Sequence, residues 1–262
     1  MTNDEWMQQL EQDFTANFVP MVPTVGIADG IRFDFCRGFR LLIPKALAPR
    51  RFRLVLVDLD HELKVFDDVL EAGDYYVSKR RYAIRYGFQL FDADSGERIF
   101  QHKYDSAGMP VVIDIPVQTL GDCIAWFSCC EAFRKKHGCE LHVCLPAHIV
   151  PLFEREYPDI RFIERSRKPT AYPYAAYTVG IFHDDTEYAS APVDYRQCAL
   201  HHYAAYLLGL EPAECGEPPR VTFDRENRTI PEPYVAIASQ ASGMCKTWVN
   251  PNGWSEVVRF LK

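Results

Sequence analysis

The sequence lacks the motifs by which many nucleotide-binding and hydrolytic enzymes are recognised. It contains no G-x-x-x-x-G-K-S/T phosphate loop, and no G-x-G-x-x-G follows a predicted strand. It also contains neither a G-x-S-x-G turn nor an H-E-x-x-H pair. Together these absences weigh against a dehydrogenase, an NTPase, a serine hydrolase and a metalloprotease.

Basic charge and long apolar runs are also missing. The net charge is −7 and the isoelectric point is about 5.6, whereas a protein that binds nucleic acid without sequence preference is normally basic. No apolar run reaches the length of a membrane span, and the acidic start MTNDEWMQQLEQDF has no signal-peptide pattern. We therefore expect a cytoplasmic protein with no nucleic-acid and no membrane partner.

The nine cysteines contain no C-x-x-C pair, and their number is odd. Several lie inside apolar patterns, where a thiol packs as a small hydrophobic group. We therefore predict reduced cysteines, as is usual in the cytosol, and no metal site made from them.

The first part of the chain predicts β-structure. Residues 1–24 are expected to form a loosely attached N-terminal segment. Between residues 25 and 109, short runs rich in aromatic and β-branched residues alternate with turn clusters such as Cys36-Arg37-Gly38. This spacing predicts a small antiparallel β-barrel or sandwich, and we assign residues 25–109 to a β-barrel domain.

Residues 110–230 have a different pattern, in which strands alternate with helices. The stretch Pro110–His137 predicts a strand, a tight turn and a helix whose buried face carries Trp126, Cys129, Cys130 and Phe133. Further strands are predicted at Glu140–Leu145, Ile160–Glu164 and Ala175–Phe182, and further helices at His148–Tyr157 and Tyr195–Leu208. Such alternation indicates a parallel sheet with helices on its faces, a Rossmann-like lobe.

A second α/β unit is predicted to begin at residue 231. After the Pro-rich connection Glu211–Pro233 come a strand at Tyr234–Ser239, a polar loop at Ala241–Gly253 and a short helix, WSEVVRFLK. One strand and one helix cannot bury their own apolar faces. We therefore expect either that they dock on the preceding domain or that they are the start of a second lobe in a longer polypeptide.

Asp122 is the first candidate for chemistry. It follows a predicted buried strand at the start of a helix, and ligands bind beyond the carboxyl ends of such strands. Gly121 allows close approach to the backbone, so the carboxylate is placed to act as a general base. The N–H groups of the same turn, which begins at Thr119, suit a phosphate. The alternative is that Asp122 is a plain helix N-cap.

Two further groups of residues are weaker candidates. Lys246 and Trp248 lie in the predicted polar loop, where a lysine suits a diphosphate and an indole suits a sugar or base; a solvated lysine and a partly buried indole are the alternative. His201 and His202 lie in a predicted helix, and with Asp194 and Arg196 just before them they form a candidate polar cleft. An isolated histidine in that position is more often a packing residue.

Four stretches, in this order, resemble the bacterial autotransporter heptosyltransferases, which are strand-loop-strand O-heptosyltransferases: VVIDIPVQTLGDCIAWFSCCEAF, YPYAAYTVGIF, APVDYRQCALHHYAAYLLGL and IPEPYVAIASQASGMCKTWVNPNGWSEVVRFLK. The TLGD turn before a Trp-Phe helix and the Lys-x-Trp loop are the most specific parts. The broader ADP-heptose glycosyltransferases, which have two Rossmann domains, share only part of the pattern.

The resemblance implies a fold and an activity. It implies an N-terminal β-barrel, a Rossmann-like lobe and the start of a second lobe, which is an incomplete GT-B-like fold. The implied reaction transfers heptose from ADP-heptose to serine hydroxyls of autotransporter adhesins. Asp122 matches the family's catalytic aspartate, which takes the proton of the serine, and Lys246 matches its donor-binding lysine. We assign Trp248, Thr119 and Gly121 to donor binding as well.

The family continues beyond the last residue of this chain, through the rest of the second lobe and an iron-binding cysteine motif. We therefore expect a C-terminally truncated homologue with impaired transfer, no cofactor and no iron site of its own. The family's ring-like homo-oligomers imply that copies of the chain, as well as an adhesin, are its partners. The alternative is a non-catalytic module that binds the adhesin or sister subunits.

Overall fold

The computed structural model describes residues 19–164, 172–222, 230, 232–241 and 246–262. These residues fall into two compact units, Met1–Thr222 and Phe223–Lys262. Most of the predicted N-terminal segment, part of the connection after residue 222, and Cys245 lie outside the described residues.

The described residues contain strands and α-helices with these bounds, in chain order: β1 Val25–Gly26, β2 Arg32–Cys36, β3 Arg40–Leu42, β4 Arg51–Asp58, β5 Leu63–Glu71, β6 Tyr75–Val77, β7 Tyr86–Asp92, β8 Arg98–Lys103, β9 Pro110–Asp114, α1 Leu120–His137, β10 Glu140–Leu145, β11 Arg161–Glu164, β12 Ala175–Thr178, α2 Leu200–Leu207 and α3 Gly253–Leu261.

A mixed sheet lies at the centre of the first unit. Its strand order is β11-β10-β9-β12-β2-β3-β6, and β1 pairs with β2. The strands from β11 to β2 are parallel to one another, and β3 and β6 continue the sheet in antiparallel pairing. The predicted parallel sheet is therefore confirmed. Strands from both predicted domains, 25–109 and 110–230, share it, because β2 pairs directly with β12.

The remaining early strands form a second, antiparallel sheet with the order β5-β4-β7-β8. In β4 the side chains of Phe52, Leu54 and Leu56 are fully buried, while Arg51 and Arg53 are exposed, as the two-residue period of a strand requires. The predicted β-barrel is not confirmed, since neither sheet closes on itself among the described strands.

A buried ion pair joins β2 to β3. Arg40 donates from Nε and Nη2 to the Asp34 carboxylate at 2.7 and 2.5 Å, and both side chains are at most 1% exposed. Arg40 also donates to the carbonyl oxygen of Pro20 at 2.8 Å and to the Tyr75 hydroxyl at 3.1 Å. A buried charge requires this degree of compensation.

Helix α1 packs as its sequence period predicts. Trp126, Cys129, Cys130 and Phe133 are buried, and the Trp126 Nε1–H donates to the Leu200 carbonyl oxygen at the start of α2 at 3.1 Å. The helix ends at Gly138, whose φ of 60° is left-handed. Glycine adopts this conformation at the least cost, so the predicted C-terminal stop is confirmed.

Several predicted elements differ from those observed. Instead of an α-helix over His148–Tyr157 there is one short 3-10 turn, Val150–Leu152, because Pro151 removes a donor from the helical pattern. The helix predicted from Tyr195 begins at Leu200, since Cys198 is extended with φ −142° and ψ 162°. The strand predicted at Ala175–Phe182 ends at Thr178.

The strand predicted at Tyr234–Ser239 is also absent: no strand is described in residues 232–241. Tyr234, Val235 and Ile237 are exposed. An extended apolar segment becomes a strand only when neighbouring strands satisfy its backbone groups, and the described part of the second unit supplies none.

Candidate active site at the strand–helix turn

The chain first adds parallel strands on one side of β9 and then adds β12 on its other side. From β9 the chain passes through α1 to β10 and then to β11 on one side, and β12 returns on the other side of β9. In open α/β sheets, ligands bind beyond the carboxyl ends of the strands at such a switch point. The turn after β9 is therefore the place in this unit that is best suited to a ligand.

Three loops lie together at this edge. An ideal Cβ on Gly180, just after β12, would lie 3.3 Å from Pro116 in the turn after β9, so the two loops approach each other closely here. On the other side, the Ile115 N–H donates to the Cys144 carbonyl oxygen at 3.0 Å. The ring of His148, which follows β10, lies 3.3 Å from the Gln118 carbonyl oxygen.

Asp122 is the third residue of α1, and Thr119 is the N-cap. The alternative prediction that Asp122 is the helix N-cap is therefore wrong, because Thr119 occupies that position. The Thr119 hydroxyl donates to Asp122 Oδ2, which fixes the direction of the carboxylate. The Asp122 side chain is half-buried, so it is directed neither into the core nor fully into solvent.

The first turn of α1 is open to an approaching molecule. An ideal Cβ on Gly121 would meet nothing within 4 Å, and Leu120 is 51% exposed. The first backbone bond of the helix joins the Cys123 N–H to the Thr119 carbonyl oxygen at 3.2 Å, so the preceding N–H groups point out of the helix end. This geometry suits an anionic group close to the Asp122 carboxylate.

Sequence reasoning missed Arg37 at the same edge. It follows β2 with a left-handed φ of 57°, and its Nη2 donates to the Thr178 hydroxyl, at the carboxyl end of β12, at 3.3 Å. The Cys36-Arg37-Gly38 turn signal was visible in the sequence, but the pairing of β2 with β12 that places Arg37 here was not.

The loop between β12 and α2 forms a cleft of about 250 Å³. Asp194, a predicted cleft residue, lines it and accepts from the backbone N–H and the Nε–H of Arg196 at 2.9 and 3.0 Å. These bonds hold the pKa of the Asp194 carboxyl below its usual value. His201 does not line this cleft; it is exposed on α2, with its ring 4.2 Å from that of His202.

Lys246 and Trp248 belong to the second unit. Lys246 is exposed. The Trp248 ring is 47% exposed and lies 5.1 Å from the Trp254 ring; it also covers Gly253, where an ideal Cβ would lie 2.5 Å from the indole. One face of the Trp248 indole is thus fixed by α3, while about half of the side chain stays accessible.

Cysteine chemistry contributes little to the site. The described cysteines form no disulfide with one another, and all except Cys198 are buried. Burial raises the pKa of Cys123 and of Cys139 to about 11, so neither is a thiolate at neutral pH.

Within the described ranges, no group of three or more His, Cys, Asp or Glu residues is arranged to hold a metal ion. Nor does any helix in the described part of the chain have both the length and the hydropathy to cross a bilayer.

The fold and site together define an α/β protein of Rossmann-like strand order, with a carboxylate at the switch point. No protein-family model matches the chain. It is 36% identical over 244 residues to the autotransporter heptosyltransferase Aah of Escherichia coli, and the match covers 93% of this chain and 60% of Aah. It is 36% identical over 242 residues to BimC of Burkholderia thailandensis, an inactive autotransporter heptosyltransferase, and covers 55% of it.

Solved structures give the same result. The crystal structure of TibC, an iron-containing dodecameric glycosyltransferase from enterotoxigenic Escherichia coli, matches with a TM-score of 0.82 and 32% identity, covering 93% of this chain and 61% of that chain. A TibC complex with an ADP-heptose matches with a TM-score of 0.81. The chain is thus a homologue of the autotransporter heptosyltransferases over nearly its whole length, as the sequence stretches predicted. It spans about 60% of the length of these relatives.

Proposed function

We propose that this chain supplies the acceptor-activating part of a cytoplasmic glycosyltransferase that moves heptose from ADP-heptose to serine hydroxyls of autotransporter adhesins. The observation that carries the proposal is the half-buried Asp122 carboxylate at the switch point, held by the Thr119 hydroxyl. The heptosyltransferase names of the relatives, and the ADP-heptose bound to TibC, support the choice of donor and acceptor.

In this proposal Asp122 is the general base. As the serine oxygen attacks the anomeric carbon of the heptose, its proton passes to the Asp122 carboxylate. The bond between that carbon and the diphosphate oxygen breaks, and ADP leaves with the electron pair. Thr119 holds the base in place, so its hydroxyl is a positioning group.

On the donor side, the proposal names candidate groups in each unit separately. The exposed Gly121 leaves room for the donor, and the outward N–H groups of that turn carry a partial positive charge. Lys246 would balance charge on the departing ADP, and Trp248 offers an accessible indole face to the sugar or base. Assembly into a homo-oligomer is part of the proposal, by similarity to dodecameric TibC.

The test uses the full chain, ADP-heptose and an autotransporter adhesin, with the acceptor followed by intact mass. Asp122→Asn preserves the shape and the Thr119 contact but removes the base, and we expect a loss of transfer of about 10²–10⁴-fold. Asp68→Asn, on an exposed strand of the antiparallel sheet, is the matched control and should transfer normally. Transfer that survives Asp122→Asn would remove the catalytic assignment.

The second candidate function is an adhesin-binding or assembly module without transfer. Its specific support is the exposure of large apolar side chains in the second unit, with Phe260 88% and Val249 69% exposed, together with the similarity to inactive BimC. Stable adhesin binding by the unaltered chain, with no added mass on the adhesin, would favour this function over transfer.

A further inference from the structure

The cleft between β12 and α2 has a built, partly aromatic wall. It is lined by, among others, Phe182, His183, Tyr188, Tyr195 and Arg196. The Tyr195 hydroxyl lies 3.1 Å from His183 Nδ1, and the Arg196 guanidinium lies 5.3 Å from the centre of the Tyr195 ring. These contacts bring polar groups together on an aromatic surface.

Tyr188 lies at the rim of this cleft in a strained conformation. Its φ is 53°, in the left-handed region that bulky residues rarely adopt, and its side chain is 44% exposed. Burial of the ring in the core does not explain this conformation. Strain of this kind persists where the surroundings enforce it, and it is concentrated at sites that bind ligands.

The surroundings of Tyr188 do enforce the conformation. The Asp185 carboxylate accepts from the three successive backbone N–H groups of residues 189–191 at 2.8, 2.8 and 2.9 Å. From the end of β6, Arg80 donates to the carbonyl oxygens of both Glu187 and Tyr188. The backbone on both sides of Tyr188 is therefore held in place, which lowers the cost of ordering this loop on binding.

The charge and size of the cleft indicate which substrate of the proposed reaction it binds, the ADP-heptose donor or the acceptor polypeptide. Its arginine, Arg196, is already paired with Asp194 at 3.0 Å, and Asp185 is a second carboxylate in the lining; both disfavour a diphosphate. The volume of about 250 Å³ lies below the usual range of about 300–1,000 Å³ for small-molecule pockets. A neutral, extended segment of small residues fits better than a sugar nucleotide.

We propose that this cleft binds the acceptor polypeptide, and that Tyr188 and Tyr195 contact a serine-containing, uncharged segment beside the turn that carries Asp122. The loop that forms the cleft follows β12, the strand that pairs with β9 in the sheet. This inference rests on the proposed transfer reaction, and it names the surface that selects the acceptor.

The test measures acceptor binding separately from donor use. Tyr188→Asn removes the ring but tolerates a left-handed φ, and Tyr195→Phe removes only the hydroxyl. Tyr172→Asn, at a 77% exposed tyrosine outside the cleft lining, is the matched control. Circular dichroism confirms that each variant is folded. The probe is a fluorescein-labelled peptide of serine, glycine and asparagine, followed by anisotropy, and transfer from ADP-heptose to adhesin is measured in parallel.

We expect Tyr188→Asn to raise the peptide Kd and the acceptor KM about tenfold, which is the worth of one aromatic contact. The KM for ADP-heptose should be unchanged, and Tyr172→Asn should behave as the unaltered chain. The proposal is overturned if the unaltered chain does not bind the peptide, if both cleft variants bind it normally, or if ADP-heptose affinity falls instead.

The two proposals fail in different ways. Peptide binding that depends on Tyr188 without any transfer would support the cleft and count against the transferase. Normal transfer by both cleft variants would support the transferase and count against the cleft.

Discussion

Gly38 links the packing of the sheet to the cleft, and Gly38→Ala is the sharpest test of that connection. Gly38 has a φ of 90° in the turn between β2 and β3. An ideal Cβ there would lie 2.5 Å from Ser78 Oγ and closer still to the Arg80 carbonyl oxygen. Ser78 cannot simply turn away, because its hydroxyl accepts from the Phe39 N–H and donates to the Arg80 carbonyl oxygen, both at 2.9 Å.

The expected loss of stability has two parts. A left-handed φ costs an alanine about 1–2 kcal/mol. Displacing Ser78 and the Arg80 backbone weakens two hydrogen bonds, at about 1 kcal/mol each. The free energy of unfolding of the first unit should therefore fall by about 3–4 kcal/mol. Since Arg80 also holds the Tyr188 carbonyl oxygen, peptide binding in the cleft should weaken as well.

Gly96→Ala is the matched control. Gly96 has a φ of 74°, but an ideal Cβ there meets nothing within 4 Å, so only the conformational cost of about 1–2 kcal/mol applies. Urea unfolding followed by circular dichroism gives both values. Equal losses for the two variants would show that the contact with Ser78 and Arg80 relaxes without cost, and would refute the reasoning.

Two further predictions concern buried ionisable groups. Arg40→Met leaves the buried Asp34 carboxylate without an opposite charge, with only the N–H groups of Thr24 and Cys36 donating to it among the described residues. It should therefore cost about 3–5 kcal/mol in urea unfolding, and adding Asp34→Asn should recover part of that loss; strictly additive losses would contradict the pairing. Burial, with Lys136 and Arg85 nearby, lowers the pKa of His137 to about 4. Between pH 6.5 and 4 the unfolded chain therefore binds more protons, and stability falls as the pH falls. His137→Phe should reduce that fall in urea midpoints measured from pH 7 to pH 4, and an unchanged fall would count against it.

Local sequence patterns predicted the part of the site that is formed by neighbouring segments of the chain. The apolar run, the break and the helical period of residues 110–137 place β9, the turn and α1 without any other information, and β10 has the predicted bounds Glu140–Leu145. Asp122 could be singled out for the same reason, since its position depends on one strand and one helix that are adjacent in the chain. Its exact place, third in the helix rather than at the N-cap, depends on the Thr119 contact.

Pairing between distant segments could not be predicted in this way. The early strands have one period and one composition, yet β4, β5, β7 and β8 form their own sheet while β2, β3 and β6 join the parallel one. A two-residue period of apolar residues does not specify which other strand a given strand will pair with. The expectation of a barrel followed from treating these strands as one set.

The same limit explains why the sequence singled out Asp122, Asp194 and Arg196 but not the rest of the cleft lining. The register of β2 against β12 pairs Phe35 with Ala175 and Cys36 with Ala176. These partners lie far apart in the sequence of the first unit. That pairing brings Arg37 to Thr178, and β3 and β6 then bring Arg80 to the carbonyl oxygen of Tyr188. The strands that resembled a separate domain therefore help to build the wall of the proposed acceptor cleft. Changes in them should alter acceptor binding before they alter the Asp122 turn, whose direct contacts are with the loops after β10 and β12.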